Sequence, residues 1–190
     1  MSGLPDHIDA AFVRRLQAGD EQAFRVLVQR WQRPLLDFVY RLTGDAAAAD
    51  DLAQEVFVRV FRKIGEFRPR PGGAAFSTWL FQVARNAALD YRRHRARHPA
   101  EPLDDTARAV PGRGPLPDAA LAHREIGTAI ATAVAALPED QRTALVLAEY
   151  QELPVAEIAA VMCCSEKAVE SRLYRARQTL RRLLAHLLPD

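Results

Sequence analysis

From His98 to Pro117 the chain reads HPAEPLDDTARAVPGRGPLP, with five prolines and two glycines. Proline lacks the N–H that a helix interior needs, and it pushes the residue before it out of the helical region. A regular element is not expected to span such a segment. It divides the 190 residues into two stretches, each of the length of a small domain. The expected organisation is a module at 8–97, a flexible tether at 98–117 and a second module at 118–188. The tether permits both compact and extended arrangements of the two.

Ala, Leu and Arg dominate on either side of the break, and runs of β-branched residues are short, which favours helices over sheets. With 49% hydrophobic residues both modules can build packed cores. In the first module Phe24, Leu27, Val28, Trp31, Leu35, Phe38, Val39 and Leu42 recur at steps of three and four, one face of a helix. Pro34 falls inside that pattern and is expected to kink or break it. Thr43-Gly44-Asp45 should stop this helix and cap the next. Leu52, Val56, Phe57, Val60, Phe61 and Ile64 give the second buried stripe. A loop rich in Gly and Pro follows at 65–75, then a third helix with Phe76, Leu80, Val83, Ala84, Ala87, Ala88 and Tyr91 facing inward.

In the second module Asp118 is a fit cap for a helix through Leu137. Pro138 starts another to about Gln151, and Pro154 opens a short one to about Met162. Cys163-Cys164-Ser165 makes a tight turn into a last helix reaching about His186. Val169, Leu173, Ala176, Leu180, Leu183, Leu184 and Leu187 lie on its inner face. A short helix, a turn and a longer basic helix make a helix-turn-helix. The fold class expected is all-α, in two small helical domains.

The formal net charge of +2 implies no partner by itself, but its distribution does. Arg85, Arg92, Arg93, Arg95 and Arg97 stand against one acid, Asp90, and Arg172, Arg175, Arg177, Arg181 and Arg182 against none in 172–182. Two arginine clusters, each at the end of a helical unit, suit phosphate binding with counterion release. Cys163 and Cys164 are adjacent and there is no CxxC pair, so neither a structural disulfide nor a zinc site is expected, and reduced thiols fit a cytoplasmic location. No stretch has the look of a signal peptide or the length of a membrane span.

Three surfaces carry candidate function. On the second helix Asp51, Glu55, Arg59 and Lys63 fall at i+4 spacing with Gln54 beside them. An exposed face with a Glu55–Arg59 ion pair accounts for them, as does a docking surface for a partner helix bearing basic groups. On the third helix Trp79, Gln82, Arg85, Asn86 and Arg93 point away from the core. Trp79 could cap that core, but an aromatic beside Asn and Arg is also what stacks on and reads unpaired bases. On the last helix Lys167, Glu170, Ser171, Tyr174, Arg175 and Gln178 lie opposite the apolar stripe, types that suit base edges and phosphates in a major groove. Ser165 is a fit N-cap there. Catalysis finds little support: there is no Gly-rich phosphate loop, no HExxH and no nucleophile elbow, and His94 and His98 have no evident third ligand.

Four strings carry a family resemblance: AFRVLVQRWQRPLLDFVYRLTGD at 23–45, DDLAQEVFVRVFRKIGEF at 50–67, FSTWLFQVARNAALDYRRHRAR at 76–97 and ALVLAEYQELPVAEIAAVMCCSEKAVESRLYRARQTLRRLL at 144–184. In these the chain resembles the extracytoplasmic-function sigma factors, the smallest branch of the bacterial sigma-70 family. The resemblance implies that Asp51, Gln54, Glu55 and Arg59 grip the clamp coiled-coil of RNA polymerase core. It implies that the loop at 68–75, with Arg68 and Arg70, and the helix bearing Trp79, Arg85, Asn86 and Arg93 melt and read the −10 element. Lys167, Glu170, Ser171, Tyr174, Arg175 and Gln178 would read the −35 element. It further implies an anti-sigma partner, no cofactor and no direct membrane insertion. This sequence departs from the family's usual text at Glu170, where a basic residue is frequent, at Pro154, at the long loop 68–75 and at Cys163, where a turn glycine is common.

Two other readings remain at this point. One is a two-module DNA-binding regulator that does not touch polymerase, against which the outer stripe of the second helix speaks. The other is an enzyme built on the first module, with Asp50, Asp51 and Glu55 around a metal.

Overall fold

A computed structural model describes residues 8–68, 76–98 and 119–187, and the side chains of these except for 119–124. Among the described residues there are helices and no strands: α1 Ala10–Gln17, α2 Glu21–Thr43, α3 Ala46–Lys63, α4 Phe76–Arg97, α5 Ala119–Ala135, α6 Glu139–Glu149, α7 Val155–Met162 and α8 Glu166–Leu183. Short 3-10 turns follow α3 at Ile64–Glu66 and α8 at Ala185–Leu187. None of these helices is long and apolar enough to cross a membrane. Most of the expected tether, the expected cap Asp118 and the loop residues Pro69 to Ala75 lie outside the described residues.

The helix starts are written in the sequence. The carboxylates of Asp9, Asp20 and Asp45 accept from the amides of Phe12, Ala23 and Ala48 at 2.7, 3.0 and 3.0 Å, each supplying one of the acceptors a helix N-terminus lacks. Gly44 ends α2 in the left-handed conformation, φ 75°, its amide closing on Tyr40 O at 2.7 Å. Pro34 does not break α2, which runs through it without interruption. A proline removes one helical hydrogen bond. That loss is outweighed by the anchors on either side, since Trp31, Leu35, Phe38 and Val39 are all buried. Burying each such side chain contributes about 1.5–3 kcal/mol.

The first module wraps α2, α3 and α4 around one another with α1 across an end. Its centre is aromatic: the Phe81 ring meets Trp31 edge-on at 5.9 Å and Phe38 at 5.1 Å. Phe81 is fully buried although α4's inward stripe, read from the sequence, passes it by. Phe61 corrects the expectation in the other direction. The apolar spacing predicts it in the buried stripe of α3, yet it is 56% exposed, since it lies at the edge of that stripe toward the exposed Val58, with the Phe24 ring edge-on at 5.1 Å. In the second module α6, α7 and α8 pack around Leu147, Ile158, Val161, Val169 and Ala176. The last helix ends at Leu183 rather than His186, and Leu183 and Leu187 are exposed rather than inward-facing, because the core stops at Leu180.

The two modules pack against each other, α7 on α4 and α6 on α2, and their buried apolar residues form a single cluster. Hydrogen bonds cross the seam between residues far apart in sequence: Thr78 Oγ1 to Glu157 Oε2 at 3.1 Å, Gln82 Nε2 to Cys163 Sγ at 3.0 Å, and Arg142 Nη1 to Leu42 O at 3.0 Å.

Candidate functional site

The outer face of α3 is as the sequence predicts. Asp51, Gln54 and Glu55 are exposed, and Arg59 Nη2 meets Glu55 Oε1 at 2.7 Å. Two apolar residues, one outside the predicted stripes and one predicted inward, extend this face. Val58 and Phe61 are 47% and 56% exposed, so a carboxylate-rich stripe borders an apolar patch. Asp50, Asp51 and Glu55 form no metal-binding cluster, and no group of three candidate ligands occurs among the described residues.

The α4 residues divide into two sets. Asn86 and Arg93 are exposed. Trp79 is half-buried, tilted against Phe67 at 5.3 Å and Phe76 at 5.7 Å, so it ties α4 to the strand of chain that precedes Arg68. Gln17, which the sequence reading did not single out, holds that strand from the other side. Its Nε2 donates to Ile64 O at 3.0 Å and Phe67 O at 2.8 Å. Arg68 is exposed and donates to Gly65 O and Phe67 O. Arg70 lies outside the described residues. Arg85, by contrast, turns into the seam. Its side chain is 15% exposed and Nη2 lies 3.7 Å from Asp140 Oδ1.

On α8 all six candidate residues are exposed: Lys167, Glu170, Ser171, Tyr174, Arg175 and Gln178. They form one surface with internal order. Arg175 donates to Ser171 O at 3.2 Å and Ser171 Oγ at 3.0 Å, and Gln178 Nε2 donates to Tyr174 OH at 2.8 Å. The turn into α8 places Cys163 at φ 52°, a left-handed conformation that favours glycine, with Ser165 Oγ accepting from the Ala168 amide at 3.3 Å. Arg172, on the flank of the same helix, donates to Cys164 Sγ at 2.8 Å and Asp140 Oδ2 at 2.9 Å, fixing α8 to α6.

One buried cation joins these parts. Arg142 donates to Leu42 O, Ala135 O and Leu137 O. Loss of water, with Arg92 nearby, pulls its guanidinium down to about 10. Neighbouring Arg41 lies over the Tyr150 ring, 3.6 Å from its centre.

Residues 27–98 match the family described as Sigma-70 region 2, and 128–180 that described as Sigma-70, region 4. The chain is 37% identical over 194 residues to RNA polymerase sigma-H factor of Pseudomonas aeruginosa, covering 98% of this chain and 99% of that one. It is 34% identical over 181 residues to ECF RNA polymerase sigma-E factor of Escherichia coli, covering 90% and 92%. Among solved structures it is similar to CnrH in complex with the cytosolic domain of CnrY, with a TM-score of 0.69 at 27% identity over 93% of this chain and 96% of that one. It shares the fold of RpoE from Bartonella quintana, solved with the anti-sigma factor NepR, at a TM-score of 0.68 and 24% identity over 85% and 96%. The chain therefore belongs to the sigma-70 family of non-catalytic transcription initiation factors, in its extracytoplasmic-function branch.

Proposed function

We propose that this sigma factor divides its work among three surfaces: α3 docks on core RNA polymerase, α4 with the chain at 68–75 reads the melted −10 element, and α8 reads the −35 element in duplex DNA. The observation that carries this is the coexistence, on one chain, of two unrelated outward faces. An exposed carboxylate stripe on α3 with an apolar border suits a basic partner helix, and an exposed polar and basic face on α8 follows a helix-turn-helix. A regulator that never meets polymerase has no use for the first. On this reading residues 8–97 form the core-binding and −10 module and 118–188 the −35 module, with 98–117 setting the reach between them. Glu170 favours a cytosine, whose N4 amino group a carboxylate accepts from. The likeness to CnrH, solved with the cytosolic domain of another protein, supports an anti-sigma partner for this chain as well. The place of work is the cytoplasm, where core polymerase is, and such a partner would be the link to any membrane.

The test is co-elution of the full chain with bacterial core polymerase, beside Asp51→Arg and Glu55→Arg. Retention of wild type and loss of both variants is expected. A folded wild-type chain that never co-elutes would leave a DNA-binding regulator as the better account.

A further inference from the structure

Free cysteine is among the most buried of residue types, yet two of them stand side by side in the turn between α7 and α8. Cys163 is exposed and Cys164 half-buried, and both are free. The Cys163 amide closes α7 on Ala160 O at 3.3 Å, and Ser165 caps α8. Cys163 holds φ at 52°, a conformation that strains any residue with a side chain and leaves glycine at ease. Little in the packing offsets that strain. The Cys163 sulfur accepts from Gln82 Nε2 at 3.0 Å and lies 3.8 Å from Ala160 O, and sulfur is a weak partner in such bonds. The Cys164 sulfur is held in a fixed direction. Arg172 Nη1 donates to it at 2.8 Å, and the same guanidinium is tied to Asp140 Oδ2 at 2.9 Å.

Adjacent thiols suit a narrow chemistry. Consecutive Cα atoms stand about 3.8 Å apart, short of the roughly 4.4 Å at which ordinary disulfides begin. A direct sulfur–sulfur bond here is therefore strained, and a larger atom inserted between the sulfurs relieves it. A structural zinc ion takes four protein ligands, and no group of three candidate ligands occurs among the described residues. Trivalent arsenic needs only two sulfurs and one group of its own. Its pyramidal bonds bring both sulfurs to one side, and it is soft, as thiolate ligands favour.

We propose that Cys163 and Cys164 form a chelating site for trivalent arsenic, and that its occupation hinders duplex binding by α8. Lys167, in the first turn of that helix, follows Cys164 by three residues. An arsenic bearing two hydroxyls exchanges both for the two sulfurs. Two As–S bonds form, two As–O bonds and two S–H bonds break, and two waters leave with no change of oxidation state. The second sulfur closes the ring within one molecule, so the pair holds arsenic far more tightly than a lone thiol does. The site rests on no functional assignment, whereas its effect on duplex rests on the assignment of α8 made above.

The experiment titrates the full chain with phenylarsine oxide, beside Cys163→Gly and Cys164→Ala. Cys163→Gly removes one sulfur and the backbone strain together, so its melting temperature should not fall. Native mass spectrometry counts arsenic on each chain, and competition with 2-mercaptoethanol ranks affinity. Expected is one phenylarsenic on the wild-type chain, both thiols protected from later alkylation, and affinity above that of either variant by about a hundredfold or more. Fluorescence anisotropy on a duplex of mixed sequence should show binding weakened by about fivefold or more when the site is filled, with no change in Cys163→Gly. Equal affinity in wild type and Cys163→Gly, two arsenicals on one chain, or a thiol left open to alkylation would overturn the site. A filled site with duplex binding untouched would overturn the coupling. A wild type that takes arsenic but binds no duplex even without it would remove the assignment of α8, and the coupling with it, while the site stands.

Discussion

The carboxylate of Asp45 starts α3 through the Ala48 amide, and its other oxygen takes the Tyr91 hydroxyl at 2.8 Å and Arg95 Nη1 at 2.7 Å. One residue thus caps the helix that carries the proposed docking face and pins the far end of α4 to it. The Ala48 amide above all, then Tyr91 and the charge of Arg95, hold its carboxyl below the ordinary 3.8 against the effect of partial burial. A carboxylate whose folded-state pKa is depressed contributes stability above its unfolded value, and that contribution disappears as pH falls through the folded value. Asp45→Asn keeps a capping side chain and removes the charge, so it should lower the melting temperature at neutral pH, by the equivalent of about 1 kcal/mol. The gap between variant and wild type should close as the pH drops below 3.8. Thermal melts at several pH values check this, and a gap that stays constant down to acid pH would mean that the charge contributes nothing.

At the scale of the helix, periodicity showed most of the residues that point inward from α2, α3 and α8 because each of these carries one continuous apolar stripe. It gave the order of helices, the Gly44 stop and the Ser165 cap for the same local reason. It fell short where a helix has neighbours on two sides. Thr78 is buried where α7 comes against α4, whereas Phe81 is buried against Trp31 and Phe38 of α2, and no local pattern reports a contact between residues as distant as Thr78 and Glu157. Phe61 shows the opposite limit, since an apolar residue adjoining a stripe reads as core whatever it is for. An aromatic ring left 56% exposed on the same side of α3 as the exposed Gln54 and Val58 suits a partner's apolar contact. Phe61→Ser should therefore weaken core polymerase binding by about tenfold or more, while lowering stability by less than about 1 kcal/mol, since little is uncovered. Binding titration and denaturant unfolding on the same preparation test it, and a stability loss large enough to explain the binding loss would remove Phe61 from the docking surface.

For the whole molecule, the proposed division of labour makes the segment at 98–117 the tie that sets how often the −10 module meets its element once α8 holds the −35 element. Lengthening a chain that ties two sites makes their joint engagement rarer, by about 0.6 kcal/mol for each doubling of length. Doubling the segment with Gly-Ser sequence should therefore lower the effective concentration of the −10 module and weaken binding to a promoter carrying both elements, by at most about threefold, while leaving binding to a duplex with the −35 element alone unchanged. Titration of both probes against wild type and the lengthened chain checks this. Equal losses on the two probes would mean that the insertion disturbs the second module itself, and no loss on the two-element promoter would mean that the two modules do not engage it jointly through this tie.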